Sequence, residues 1–368
     1  MDTPDTSKKD WVPFATTDPF NNNFVEGKIS HHHGDDYGAL SIEKVNGDKM
    51  PQLIYCTPKL AYPFDQNGNW HWPKALTIER YDKLDGTNVF AYRYRDAKGQ
   101  AYLSYKLRIQ PFVKNSRFGP FLDMWRELLK AQPVIARLPW LLAMNLSFEI
   151  WGARNPHLVK YEVPLAVSLL FARLLGNILP PSQLKHEAVK DLQAPYQGHV
   201  DKDYTWWYQQ SQQMLGEGLT ELEDGFSGTE GEVWYLLDTT GRWIMFKCKP
   251  EVIELIHWAA GGIGKNTIRA TIENAFENWD EPTVEQVKGL LREEFQDMDI
   301  DKVEESIAKH LDLALAQHEF QEKVMKVYSG LGMNILEDKA GVMRAISSQF
   351  NRAEMGKVYA IIWAHTAQ

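Results

Sequence analysis

Lys83-Leu84-Asp85-Gly86-Thr87-Asn88 is the stretch on which the reading of this chain turns. A primary amine is followed two residues on by a carboxylate, then by a glycine that permits a tight turn, and the run closes on a side-chain amide. The flanks look like strands. Ala75 to Tyr81 alternates apolar and polar residues, and Val89 to Tyr94 reads as a returning strand. An Asp-Gly step between two such runs is an ordinary turn signal. The hexamer is therefore expected at the edge of a meander, with Asp96-Ala97-Lys98-Gly99 as the next turn and Ala101 to Ile109 as a third strand. Whether Lys83 is more than a turn lysine depends on the groups that follow it.

Downstream, Leu146-Ser147-Phe148-Glu149-Ile150-Trp151-Gly152 reads as a strand that sets Glu149 among apolar neighbours. A carboxylate there is costly to bury unless it meets a cation or hydrogen-bond donors, which invites a functional reading. Val163 to Phe171 reads as a core strand. Gly228-Thr229-Glu230-Gly231 runs into another, and Arg242 to Lys249 returns from it as a hairpin. Lys247 and Lys249 are two apart in that strand, so they share a face and form an anion cradle next to the carboxylate of Glu230.

From Arg93 to Arg117 seven basic residues, Lys106 and Arg108 among them, stand against the single acid Asp96, which makes this the candidate phosphate-binding face. The whole chain is acidic, with a formal net charge of -9, so a general nucleic-acid coat is excluded while a local basic groove is not. Two cysteines, Cys56 and Cys248, are too few for a disulfide framework or a zinc cluster and fit a reducing compartment. The most apolar segment, Val163 to Leu179, is broken by Arg173, Gly176 and Asn177 and falls short of a membrane span, and the first residues lack a signal peptide's apolar run. The expectation is a cytoplasmic, soluble protein, monomeric and without a membrane partner.

Three lookalikes fail on inspection. His31-His32-His33 cannot all face one ion from regular structure. Gly261-Gly262-Ile263-Gly264-Lys265 lacks the Ser or Thr of a P-loop, since Asn266 follows the lysine. Asp297-Met298-Asp299-Ile300-Asp301 lacks the glycine and glutamate of a calcium loop, with Lys302 and Ala308 in their places.

Residues 1–29 read as a flexible tail, 30–74 as a small β-rich extension and 75–250 as the domain that carries the motifs. Residues 251–368 read as an α-helical domain, in which Thr283-Val284-Glu285-Gln286 is a capping box and Asp301-Lys302-Val303-Glu304 opens a further helix.

Five pieces, Lys83 to Asn88, Phe148 to Gly152, Val163 to Phe171, Glu230-Gly231 and Lys247-Cys248-Lys249, follow in an order that resembles the covalent nucleotidyltransferase superfamily of ATP-dependent polynucleotide ligases and capping enzymes. Asn88 at the end of the hexamer is similar to RNA ligases of the RNA ligase 2-like group, where DNA ligases usually carry arginine. The chain departs from the pattern in continuing Glu230-Gly231 as Glu232-Val233 and in placing 82 residues before Lys83.

The resemblance implies an α+β fold, an ATP-grasp-like nucleotidyltransferase domain of antiparallel sheets with flanking helices followed by an all-α domain. It implies an RNA-repair activity, with ATP and Mg2+ or Mn2+, that seals 5′-phosphate and 3′-hydroxyl ends of RNA. In that activity Lys83 forms lysyl-AMP, assisted by Lys247 and Lys249. Asp85, Gly86, Asn88 and Glu149 hold the nucleotide, Phe171 stacks on adenine and Glu230 holds the metal. Asn88, Lys106 and Arg108 are the expected nucleic-acid contacts. A DNA ligase, a capping guanylyltransferase and a non-catalytic nucleic-acid-binding module are the alternatives.

Overall fold

The computed structural model describes residues 11–31, 36–65, 68–116, 119–222, 225–250, 265–294 and 300–366. His32 and His33, Gly261 to Gly264, Asp297 to Asp299 and the junction after Pro250 lie outside the described residues. The fold is mixed α+β, antiparallel sheets with helices followed by a helical region, as expected. It divides into two compact units, residues 1–280 and 281–368.

Among the described residues the first unit contains three main sheets and a two-stranded one, β12 (Thr220–Leu222) with β13 (Gly225–Ser227). An N-terminal sheet takes β1 (Trp11–Thr17), β2 (Phe24–Ser30), β3 (Leu40–Val45) and β4 (Asp48–Ile54) in that order, all antiparallel. Residues 11–29, expected to be a loose tail, are thus two strands of it. Two of its polar residues are buried and partnered: Asp18 accepts from the Tyr94 hydroxyl at 2.7 Å and the Ser104 hydroxyl at 2.9 Å, and the Asn23 amide donates to the Tyr94 oxygen at 2.9 Å. Val25 and Ile29 on β2 reach the central core.

A second sheet has the order β10-β9-β8-β6-β7. Its strands are β6 (Thr87–Arg95), β7 (Ala101–Lys106), β8 (Asn145–Trp151), β9 (Ala166–Leu174) and β10 (Asn177–Leu179). The third has the order β11-β5-β14-β15, formed by β5 (Ala75–Lys83), β11 (Tyr196–Val200), β14 (Gly231–Asp238) and β15 (Trp243–Cys248). The hexamer does not turn a hairpin, because β5 and β6 belong to different sheets; it is the crossing between them.

Alternation along the strands builds the layers. Tyr81, Val233, Tyr235 and Met245 face Phe90, Tyr92, Tyr94 and Phe171 in one core between the sheets. The opposite face of the second sheet, including Val89, Ala91, Leu146 and Phe148, packs on α1 (Phe121–Ala131), α2 (Val134–Leu141) and α3 (Glu187–Leu192). The outer face of the third sheet, Ile78, Trp234, Leu236 and Phe246, packs on Tyr208 of α4 (Tyr204–Glu217) and on Trp70 and Trp72. Trp206 and Trp207 are 52% and 37% exposed, while Tyr208 beside them is buried against the sheet. Helix α5 (Lys265–Asn278) completes this unit.

The second unit is helical: α6 (Val284–Glu294), α7 (Glu304–Leu331), α8 (Lys339–Ile346) and α9 (Met355–Thr366). Val324 and Tyr328 of α7 close on Val342, Ile346, Val358 and Ile362. The capping box forms as read, with the Thr283 amide donating to Gln286 Oε1 at 2.8 Å and the Gln286 amide to Thr283 Oγ1 at 3.3 Å.

Candidate active site

Lys83 is the last residue of β5, paired in register with Gly231 at the start of β14. That pairing brings Glu230 to the lysine. Lys83 donates to Glu230 Oε2, and the ammonium of Lys249 lies 2.9 Å from Glu230 Oε1. Glu230 is 5% exposed. Burial would raise its carboxyl, but the charges of Lys249 and Lys83 outweigh that and hold it down to about 2. Lys247, on β15, is buried, with its ammonium 4.3 Å from the ring centre of Tyr62.

The hexamer crosses between the sheets at close quarters. A Cβ on Gly86 would lie 2.1 Å from the Ile150 carbonyl oxygen of β8, so only glycine lets the chain pass there. Asp85 is clamped by the segment after β8: the Val159 amide donates to Asp85 Oδ2 at 2.7 Å, and the Asp85 amide donates to the Tyr161 hydroxyl oxygen at 2.9 Å. Burial, reinforced by the charge of Glu230, raises the Asp85 carboxyl, against the pull of His157 and Lys83.

Asn88 and Glu149 face each other across β6 and β8. The Asn88 amide donates to Ser147 Oγ and the Phe148 carbonyl at 3.0 Å each and to Glu149 Oε2 at 3.3 Å. Its own oxygen is buried with no hydrogen-bond partner among the described residues, an acceptor waiting for a donor. Burial pushes Glu149 up to about 7, with Lys83 and the Asn88 hydrogen bond acting against it. Arg108 places its guanidinium 5.9 Å from the Tyr37 ring centre, and its charge reaches both Glu149 and Glu277.

Two expected site residues are placed elsewhere. Lys106, expected at a nucleic-acid surface, is fully enclosed, because Cys56 and the carbonyls of Leu107 and Arg108 surround its ammonium. Phe171, expected to stack on adenine, is 2% exposed and packed in the core between the sheets.

Several groups had no sequence reading. The Thr87 hydroxyl donates to Glu277 of α5 at 2.9 Å, Asn155 donates to the Thr87 oxygen at 3.1 Å, and His157 lies 3.6 Å from Glu277. Asn155 and His157 sit in the Gly152 to His157 turn directly after the Glu149 strand, a position that could have marked them. Glu277 gave no signal, since its partner Thr87 is 190 residues away.

The arrangement offers ammonium groups to phosphate oxygens and an orphan acceptor to a ribose or amine donor, which fits a nucleotide triphosphate. Among the described residues no group of three or more His, Cys, Asp or Glu is arranged to hold a metal ion. Magnesium bound through phosphates needs only one or two protein carboxylates, and Glu230 is the one the sequence reading assigned to it. None of the described helices is long and apolar enough to cross a membrane.

No protein-family model and no curated protein matches the chain. Among solved structures, an archaeal ATP-dependent RNA ligase is similar at a TM-score of 0.47 and 14% identity, over 87% of this chain and 78% of that one. A Naegleria gruberi RNA ligase variant with ATP and manganese is similar at 0.36 and 17% identity, over 49% of this chain and 51% of its own. A putative ATP-dependent DNA ligase from Aquifex aeolicus is similar at 0.40 and 14% identity, over 88% and 79%.

Proposed function

We propose that the chain is an ATP-dependent RNA ligase that seals 5′-phosphate and 3′-hydroxyl ends through a lysyl-AMP intermediate and an adenylylated 5′ end. The observation that carries this reading is the convergence of Lys83 and Lys249 on the two oxygens of buried Glu230, beside Asp85, Asn88 and Glu149.

A lysine amine attacks phosphorus only after it has shed its proton and its carboxylate contact. Lys83 therefore has to leave Glu230. It then bonds to the α-phosphorus as the bond to pyrophosphate breaks, and Lys249 and Lys247 offset the charge that develops on the phosphate oxygens. Glu230, freed of Lys83, is the carboxylate to hold a divalent ion, which supplies charge neutralisation of the phosphates when bound. Asn88 offers its unpartnered oxygen to the nucleotide or the RNA end. Arg108 is the guanidinium assigned to the terminal phosphates in this reading.

A sealing titration tests it. With ATP and magnesium, nicked RNA is expected to be joined faster than nicked DNA, with ATP preferred to GTP. Faster joining of DNA would make the chain a DNA ligase, and labelling from GTP a guanylyltransferase. Salt-sensitive binding with no joining would leave only a nucleic-acid-binding module.

A further inference from the structure

Cys56 and Lys106 are both fully buried and take no part in the proposed chemistry. Cys56 follows β4 by two residues, and Lys106 ends β7, 50 residues later. The lysine nitrogen lies 3.2 Å from the Cys56 sulfur, 2.7 Å from the Leu107 carbonyl oxygen and 2.6 Å from that of Arg108. The two carbonyls fix the nitrogen, and the sulfur is its only other polar neighbour among these contacts. The Cys56 thiol donates to the Arg108 carbonyl oxygen at 3.9 Å, so one carbonyl holds both groups. Sulfur and nitrogen are thus held at contact distance by the fold. Burial also lowers the Lys106 ammonium towards its neutral amine, with Cys56 acting against it.

We propose that Cys56 and Lys106 are a modification site at which molecular oxygen makes a covalent nitrogen–oxygen–sulfur bridge. The balance is one thiol, one amine and one O2 giving the bridge and one water. The S–H bond and one N–H bond break, and S–O and O–N bonds form. The second oxygen atom leaves as water with the two hydrogens. Sulfur and nitrogen each lose two electrons, and the two oxygen atoms take the four. Dioxygen is small and apolar, so it reaches a packed interior that excludes larger oxidants. Sequential oxidation at sulfur alone, which needs room for added oxygens, is disfavoured in an enclosed site whose nearest polar atom is the amine. The product ties the exit of the N-terminal sheet to the end of β7, two residues before Arg108.

The test is peptide mapping of the full chain after incubation in air-saturated buffer, with an anaerobic, dithiothreitol-treated sample as reference. A peptide pair joined through Cys56 and Lys106 is expected, about 14 Da heavier than its two parts for one oxygen gained and two hydrogens lost, and reverting on reduction. The bridged protein is also expected to melt at a higher temperature than the same sample after reduction, because the link closes a long loop. Cys248 is the internal control: it too is buried, its thiol donating to the Tyr208 carbonyl at 3.8 Å, and it is expected to remain alkylatable. Cys56→Ser is expected to abolish the heavier species. The proposal is overturned if air-treated wild type yields Cys56 as a free thiol with Lys106 unmodified, if oxygen is found on Cys56 alone, or if a link forms without the oxygen atom. None of these readouts depends on ligase activity.

Discussion

Glu149→Gln isolates the cost of holding a carboxyl at the heart of the site. Glu149 is 8% exposed, and burial moves its carboxyl from an ordinary 4.5 up to about 7. In the unfolded chain the group ionises near its ordinary value, so between these two pH values the folded protein binds the proton more tightly than the unfolded one. The sign follows: the contribution to stability is fully present below about 4.5 and is lost as pH rises through about 7. The difference between the two values, at about 1.36 kcal/mol per unit, is about 3 kcal/mol. Glutamine cannot ionise and keeps an oxygen to accept from Asn88. Denaturation by urea, followed by tryptophan fluorescence from about pH 5 to about pH 9, is expected to show wild type losing about 3 kcal/mol relative to Glu149→Gln across that range. The variant is expected to be the more stable protein at the alkaline end while failing to form the AMP adduct. Parallel stability curves for the two proteins would refute the reasoning, because they would mean that Glu149 ionises in the folded state as freely as in water.

Other consequences are independent of this one. Gly86→Ala sets a methyl 2.1 Å from the Ile150 carbonyl oxygen and is expected to lower the adenylylation rate at least tenfold, or about 1.4 kcal/mol of barrier, read by labelling with ATP. Glu230→Gln removes the partner of two ammonium groups and is expected to destabilise the fold by about 3 kcal/mol at neutral pH. Because Glu230 is held at about 2, its contribution is present above about 4.5 and lost as pH falls through about 2, so the variant should show a shallower acid limb in urea titrations. Arg80→Met leaves buried Glu232 without the guanidinium that stands 3.3 Å from it and also strips Ser211 of a hydrogen bond. A loss of about 3–5 kcal/mol in urea unfolding is expected.

Much of the site could be read from the sequence because its parts are short and periodic. Glu149 stands out as a charge inside an apolar strand, and the two-residue period puts Lys247 and Lys249 on one face without knowledge of the fold. What escaped is what depends on pairing at a distance. Asp85-Gly86 carries a local turn signal that is silent on which sheet each flank joins. The true neighbour of Lys83 is Glu230, 147 residues on. Counting charge from Arg93 to Arg117 treated Lys106 as a surface cation, although a lysine whose ammonium meets two carbonyls and a sulfur can be wholly enclosed. Residues 11–29 read as part of a flexible tail for the same reason: composition records polar groups such as Asp18 and Asn23 but not their buried partners. Glu277 was beyond reach, arriving at Thr87 from a helix after the last motif.

The central claim is that Lys83 becomes covalently joined to AMP. Intact-mass measurement after incubation with ATP and magnesium tests it most directly. A gain of about 329 Da is expected in wild type, located on Lys83 and absent from Lys83→Ala. No gain, or the same gain in Lys83→Ala, would contradict it.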